Sequence, residues 1–115
     1  HKVGRRMEAA MSGFDLVLTP TLMTPPAKLG QHSTQTDFVT FRRKVSSYTT
    51  FLPIVNASGQ PAANLPLYWN QDNLPIGVQL IGHFGREDQI LQLAAQLEAA
   101  CPWADKRPPL HGSAI

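Results

Sequence analysis

Val3, Met7 and the pair Ala10/Met11 recur at helical spacing, and Gly13 stands where a helix commonly stops, so the chain is predicted to open with a short helix. The run Phe14-Asp15-Leu16-Val17-Leu18-Thr19 is apolar, partly β-branched and cut by Pro20, which predicts a buried strand over residues 14–19 in a parallel or mixed sheet. Phe38, Phe41, Val45 and Tyr48 return to steps of three and four. They give an amphipathic helix over residues 36–48 that packs an aromatic-rich face, with Asp37 placed to suit the positive end of its dipole. Ala63, Leu65, Leu67 and Trp69 alternate on one face, as do Ile76, Val78 and Leu80 beyond the polar turn Asn70-Gln71-Asp72-Asn73. That pattern predicts an antiparallel hairpin of residues 63–69 and 75–81, in one sheet with the strand at 14–19. Ile90, Ala94, Leu97 and Cys101 then form a helical stripe, with Glu87 and Asp88 in the first turn and Pro102 ending the helix. The stripe is expected to be buried.

Between these elements the chain is irregular. From Thr21 to Gln35 it carries Pro25, Pro26 and Gly30 with no period, which predicts a surface loop of a length that often has a function. Residues 49–60 combine Thr50 as a cap, Pro53 and the turn pair Ser58-Gly59, and are expected to form a short helix or turn. Residues 104–115, with Pro108-Pro109 and Gly112-Ser113, read as an extended tail. The order helix, strand, helix, hairpin, helix, without internal repeats, defines an α/β class with a mixed sheet flanked by helices.

Composition narrows the picture. At 115 residues the chain is one domain at most, and 43% hydrophobic with 16% charged residues is the balance of a globular protein with a core. The net charge is +2, and the basic residues fall in two short groups, Lys2/Arg5/Arg6 and Arg42/Arg43/Lys44. Three adjacent cations on a helix spread around its axis as a solvated face, so nucleic acid is not indicated. No apolar run approaches the length of a membrane span and no apolar block follows the first residues, which fits a cytoplasmic protein. The first residue is His1, which fits the removal of sequence upstream.

The residues carrying chemistry do not form a constellation. His1, His32, His83 and His111 lack metal-ligand spacing, so neither a metal nor another cofactor is expected. His83 stands out because it follows a strand, where α/β enzymes present ligand groups, although a loop histidine is more often structural. No serine lies in a Gly-x-Ser-x-Gly elbow. Lys44 with Ser46 or Ser47 would suit a Ser–Lys pair only if the lysine were desolvated, which an exposed basic face opposes. Asp15 and Asp105 have no carboxylate partner at acid–base spacing. Cys101, the only cysteine, follows Ala99-Ala100 and reads as small-residue packing, and Trp103 reads as a cover for the core edge. No catalytic residue is assigned in this chain, and its substrate-binding residues are left open.

Three motifs in order, Asp15-Leu16-Val17-Leu18-Thr19-Pro20-Thr21, Asn56-Ala57-Ser58-Gly59-Gln60-Pro61-Ala62 and Leu74-Pro75-Ile76-Gly77-Val78-Gln79-Leu80-Ile81-Gly82, resemble the last part of the amidase signature family. The match continues through Gly85-Arg86-Glu87-Asp88 to Pro102-Trp103. Its Gly59-Gln60-Pro61-Ala62 and Pro102-Trp103 segments are most similar to those of broad-specificity bacterial amidases and nylon-oligomer cyclic-dimer hydrolases. Gly59 and Pro61 shape a turn, and Gly77 lets backbones approach inside a strand.

The resemblance implies that residues 1–115 are the carboxy-terminal part of a single amidase domain. Such an enzyme cleaves a carboxamide through a serine acyl-enzyme, with a Ser-Ser-Lys triad and oxyanion donors lying upstream of this chain. The implied partners are that upstream part and a small-molecule amide, and self-association into homo-oligomers is left open. The segment from Thr21 to Gln35 and the region of Asn56 are then candidates for lining a substrate channel. Two other readings stand beside this one: the amidase-like subunit of a tRNA-dependent amidotransferase, and a truncated non-catalytic interaction module. The Pro102-Trp103 ending and the lack of a basic stripe weigh against the amidotransferase.

Overall fold

Leu80 and Ile81 are consecutive residues of β3 (Pro75–Gly82), so their side chains leave the sheet on opposite faces, and both are buried, at 0% and 1% exposure. A computed structural model describes residues 1–108 and shows how two layers of helix cover those faces. On one face Ile81 packs with Met11 of α1 (Lys2–Met11) and Val55 of α3 (Leu52–Ser58), with Met7 and Val17 against them. On the other, Leu80 packs with Leu65 of β2 (Ala62–Trp69) and Ile90 of α4 (Glu87–Ala100). Leu16, Ala63, Leu67, Leu93, Ala94, Leu97 and Trp103 surround that second cluster. The sheet has the order β1-β3-β2, with β1 (Leu16–Pro20) and β2 both antiparallel to β3.

The local chemistry explains the boundaries. The Asn70 side-chain oxygen accepts from the backbone N–H of Asp72 and of Leu74, at 3.0 and 2.9 Å, and so closes the hairpin turn. Asn73 there takes a left-handed φ of 59°, which asparagine tolerates. A register shift between Pro66 and Tyr68 bulges β2 where proline has no N–H to give to the ladder. Asp37 caps α2 (Phe38–Tyr48) by accepting from the Thr40 N–H at 2.9 Å, and Gly59, at φ 83°, ends α3. Gly4 of α1 lets that helix lie against α3, since a Cβ there would stand 2.6 Å from the Ser58 carbonyl oxygen.

The helices, the hairpin and the single three-stranded sheet follow the sequence pattern, with four differences. The first strand begins at Leu16 rather than Phe14 and is an antiparallel edge strand, not a strand buried on both faces: Phe14 is 67% and Leu18 55% exposed. Its pairing with one neighbour leaves its outer edge open. Second, α2 has no buried residue and Phe38 is 74% exposed. Phe41, Val45 and Tyr48 are half-buried, with Tyr48 Oη accepting from the Ala27 N–H at 3.1 Å and its ring 4.8 Å from that of His32. Val39 is likewise 66% exposed. Third, residues 52–58 form a helix whose N-cap is Phe51, while Thr50 instead donates to the Ser47 carbonyl at 3.1 Å. Fourth, Cys101 is not part of the packed stripe. It is the exposed C-cap of α4, because the helix ends at Ala100. Trp103 covers the core edge as expected, and a turn from Trp103 to Lys106 follows it. The rest of the expected tail, residues 109–115, lies outside the described residues.

The molecule is a slab of 44 × 44 × 24 Å, with a radius of gyration of 16.7 Å. A compact domain of this length would have about 13 Å.

Burial grades the α4 stripe: Ile90 is 4% exposed, whereas Ala94 and Leu97 are half-buried at the rim of the same cluster. Ile90→Ala is therefore expected to cost about 2–5 kcal/mol, the range for a large side chain removed from a packed core, and Leu97→Ala distinctly less. Chemical denaturation of both variants checks the order. A Leu97→Ala cost equal to or above that of Ile90→Ala would show that the rim is part of the core.

Candidate functional site

Two polar constellations interrupt the apolar packing. The first joins α1 to the turn after β3. His83 Nε2 lies 2.9 Å from the Phe14 carbonyl oxygen, and Nδ1 lies 2.5 Å from Glu8 Oε1. A carbonyl only accepts, so Nε2 carries a proton. An ionised Glu8 also only accepts, so the doubly protonated ring is the form that serves both acceptors. The second Glu8 oxygen accepts from Gln60 Nε2 at 3.3 Å and from the Phe84 N–H at 3.4 Å. The Phe14 carbonyl first, and the Glu8 side chain second, hold the His83 pKa above its ordinary value. The hydrogen bond from His83 in turn holds the Glu8 carboxyl below its own.

The second constellation is a polar row across the α1/α3 face of the sheet. Thr19 and Asn64 flank Gln79 in register from the two sides. Gln79 is buried at 4% exposure and donates from Nε2 to Thr19 Oγ1 at 3.1 Å. Beyond the end of β1, Thr21 gives its backbone N–H to the Gly77 carbonyl at 3.1 Å and its hydroxyl to Asn64 Oδ1. Thr21, Asn64 and Gly77 open onto a cleft of about 340 Å³ whose other walls include Met23, Pro25, Pro66 and Ile76. The beginning of the predicted functional loop thus forms one wall of an apolar hollow bordering this row. Hydroxyls and amides of this kind can position a ligand by hydrogen bonds.

The residues weighed from sequence are not brought together. Ser47 Oγ donates to the Arg43 carbonyl of its own helix at 2.6 Å, and Lys44 is exposed, so no Ser–Lys pair forms. Ser58 Oγ donates to the Val55 carbonyl at 3.0 Å. Asn56 is exposed on α3 and does not reach the cleft. Among the described residues, no group of His, Cys, Asp and Glu is arranged to hold a metal ion, and no helix is long and apolar enough to cross a membrane. Sequence reasoning singled out His83, Gly77 and the loop that begins at Thr21, but not Glu8 beside His83, Asn64 beside Gly77, or the buried Gln79. Gln79 and Asn64 were legible only as polar residues inside otherwise apolar strands.

The fold is an α/β unit in which a three-stranded antiparallel sheet carries helices on both faces. Residues 1–91 match the family model described as Amidase, and the chain belongs to the amidase family. It is 39% identical over 118 aligned positions to the 6-aminohexanoate-cyclic-dimer hydrolase of Paenarthrobacter ureafaciens, covering 95% of this chain and 23% of that protein. The enzyme of the same name from Pseudomonas sp. (strain NK87) is 38% identical over the same shares. Among solved structures, a 6-aminohexanoate cyclic dimer hydrolase complexed with substrate matches 94% of this chain and 23% of its own, with a TM-score of 0.79 and 39% identity. A glutamyl-tRNA(Gln) amidotransferase subunit from Thermotoga maritima matches 91% of this chain and 22% of its own, with a TM-score of 0.69 and 27% identity. The chain thus spans less than a quarter of the length of the curated relatives it matches.

The cleft floor yields a test. A Cβ at position 77 would stand 2.8 Å from Thr21 Oγ1 and press on the Asn64 amide. Gly77→Ala is expected to cost about 1–3 kcal/mol as an overpacking substitution, and Asn64→Ala in the same chain to recover part of that cost. A double-mutant cycle by chemical denaturation measures the coupling, and simple additivity would show that the two residues do not press on one another.

Proposed function

We propose that this chain is the carboxy-terminal scaffold of an amidase that hydrolyses a carboxamide through a serine acyl-enzyme, with the Ser-Ser-Lys triad in the upstream part of the same domain. The carrying observation is the match of 94% of the chain to 23% of a substrate-complexed cyclic dimer hydrolase, at a TM-score of 0.79. The slab shape and the exposed apolar side chains agree with this reading. Phe38, Val39, Leu29 and Leu91 are 74%, 66%, 104% and 67% exposed, which leaves large apolar side chains available to a covering surface. Their intended cover is the upstream part of the domain.

In this reading the nucleophilic serine attacks the amide carbon, the amine leaves, and water releases the carboxylate from the acyl-enzyme. Substrates are small linear or cyclic amides; the relatives with 38–39% identity are named for a cyclic dimer of 6-aminohexanoate. The tRNA-dependent amidotransferase is the second reading, favoured by one observation, a TM-score of 0.69 at 27% identity. It ranks second because the hydrolase has the higher TM-score and identity.

Residues 1–115 purified alone are expected to release no ammonia or amine from a small aromatic amide, and to self-associate through the exposed apolar face and the open strand edges. Adding the separately expressed upstream part should restore turnover and suppress self-association. Activity of the lone chain that disappears on mutating Lys44 or Ser47 would overturn the proposal. Turnover that strictly requires a tRNA-linked acceptor would favour the amidotransferase.

A further inference from the structure

The clamp at His83 ties together four separate segments. Glu8 belongs to α1, Phe14 to the turn before β1, Gln60 to the link between α3 and β2, and His83 and Phe84 to the turn between β3 and α4. We propose that His83 is a cationic pin that locks α1 onto the end of the sheet, and that losing its proton unlocks α1 without unfolding the α4 layer.

The geometry makes the protonation state decisive. Both ring nitrogens face acceptors, so a neutral ring must leave one lone pair directed at an acceptor oxygen. Either the Glu8 or the Phe14 connection is then lost. Both connections end on the same stretch of chain, α1 and the turn that follows it, whereas the α4 cluster of Leu80, Leu65 and Ile90 contains neither. What α1 covers is the other cluster: Met11, at 1% exposure, closes over Ile81 and Val55.

The charged surroundings are few. From α1, Arg5 and Glu8 line the hollow beside the clamp together with His1, and the end of α3 contributes only the neutral Ser58 and Gln60. Arg86, from the turn after β3, opposes the charge on His83. Glu8 is thus the one carboxylate in the clamp, and it bonds the ring directly.

The direction of the pH response follows. The folded His83 pKa lies above its ordinary 6.5, so its contribution is complete below 6.5 and is lost as pH rises through the folded value. The folded Glu8 pKa lies below its ordinary 4.5, so its contribution is complete above 4.5 and is lost as pH falls through the folded value. The lock is therefore strongest between these two ordinary values, and it opens first on the alkaline side for a protein kept near neutrality.

Hydrogen exchange and nitrogen NMR of the ring test this in the chain assembled with the rest of its amidase domain. After correction for intrinsic exchange, protection of α1 amides is expected to fall by up to about tenfold per pH unit between 6.5 and the folded pKa, while α4 stays level. Glu8→Gln should flatten that dependence. Ring nitrogen shifts, assigned by their loss in His83→Asn, should report two protonated nitrogens at about pH 6. This ring measurement needs only the unaltered protein, so it decides the proposal even if a variant fails to fold. A neutral ring at that pH, α1 protection falling in parallel with α4, or an undiminished pH dependence in Glu8→Gln would each overturn it.

Discussion

The structure depends on one constraint: β3 must be buried on both faces at once. Leu80 and Ile81 at adjacent positions cannot share a side of the sheet, so two independent apolar layers have to be assembled against a single strand. α4 is contiguous with β3 and supplies one layer after a short turn. The other layer is drawn from α1 and α3, which precede β3 in sequence, so it carries the long-range part of the fold. Its closest approaches are correspondingly tight: Gly4 lies under the Ser58 carbonyl, and Met11 is sealed over Ile81.

This asymmetry also locates the polar groups. The α4 side is almost wholly apolar and held by dispersion and burial. The α1/α3 side carries the Thr19–Gln79–Asn64 row, and the Glu8–His83 pair stands beside that layer. The His83 ring is about a quarter exposed and Glu8 nearly half, so the pair keeps much of its hydration and avoids the full desolvation cost of a buried ion pair. Its role is geometric: a planar ring with two opposed nitrogens spans from a helix side chain to a backbone carbonyl. Burial holds α4, while α1 depends on burial together with directed hydrogen bonds.

Local order accounts for what could be read from the sequence. The hairpin and α4 were legible because their periodicities of two and 3.6 lie in contiguous residues, with turn and helix-start signals in place. The edge position of β1 was not, since an apolar run such as Leu16-Val17-Leu18 has the same composition whether one or two strands flank it. The aromatic stripe of α2 correctly predicted a helix but not its exposure, because periodicity fixes which face is apolar and not whether another element packs on it. The clamp was illegible for a different reason. Glu8 and His83 are 75 residues apart, and neither lies in a pattern that names the other. Gln79 and Asn64 had a signal, a polar side chain in a strand otherwise rich in apolar residues, but their pairing depends on strand register, which composition does not encode.

The motifs that carry the family resemblance fall where the backbone has few alternatives. Gly59 takes a left-handed φ of 83° and Gly85 one of 74°, Gly77 sits where a Cβ would strike Thr21 and Asn64, and Gly82 lies against Ile90. These positions fix where β2 and β3 can run and how α3 and α4 meet them. A side chain that performs chemistry needs partners placed to within a fraction of an ångström, and those partners can come from any part of a domain. A glycine that permits a close approach needs only the two backbones it separates, both of which lie within this chain. That difference explains why a segment spanning less than a quarter of its relatives' length preserves their architecture at a TM-score of 0.79. The constraints that these glycines meet are therefore satisfied within this chain.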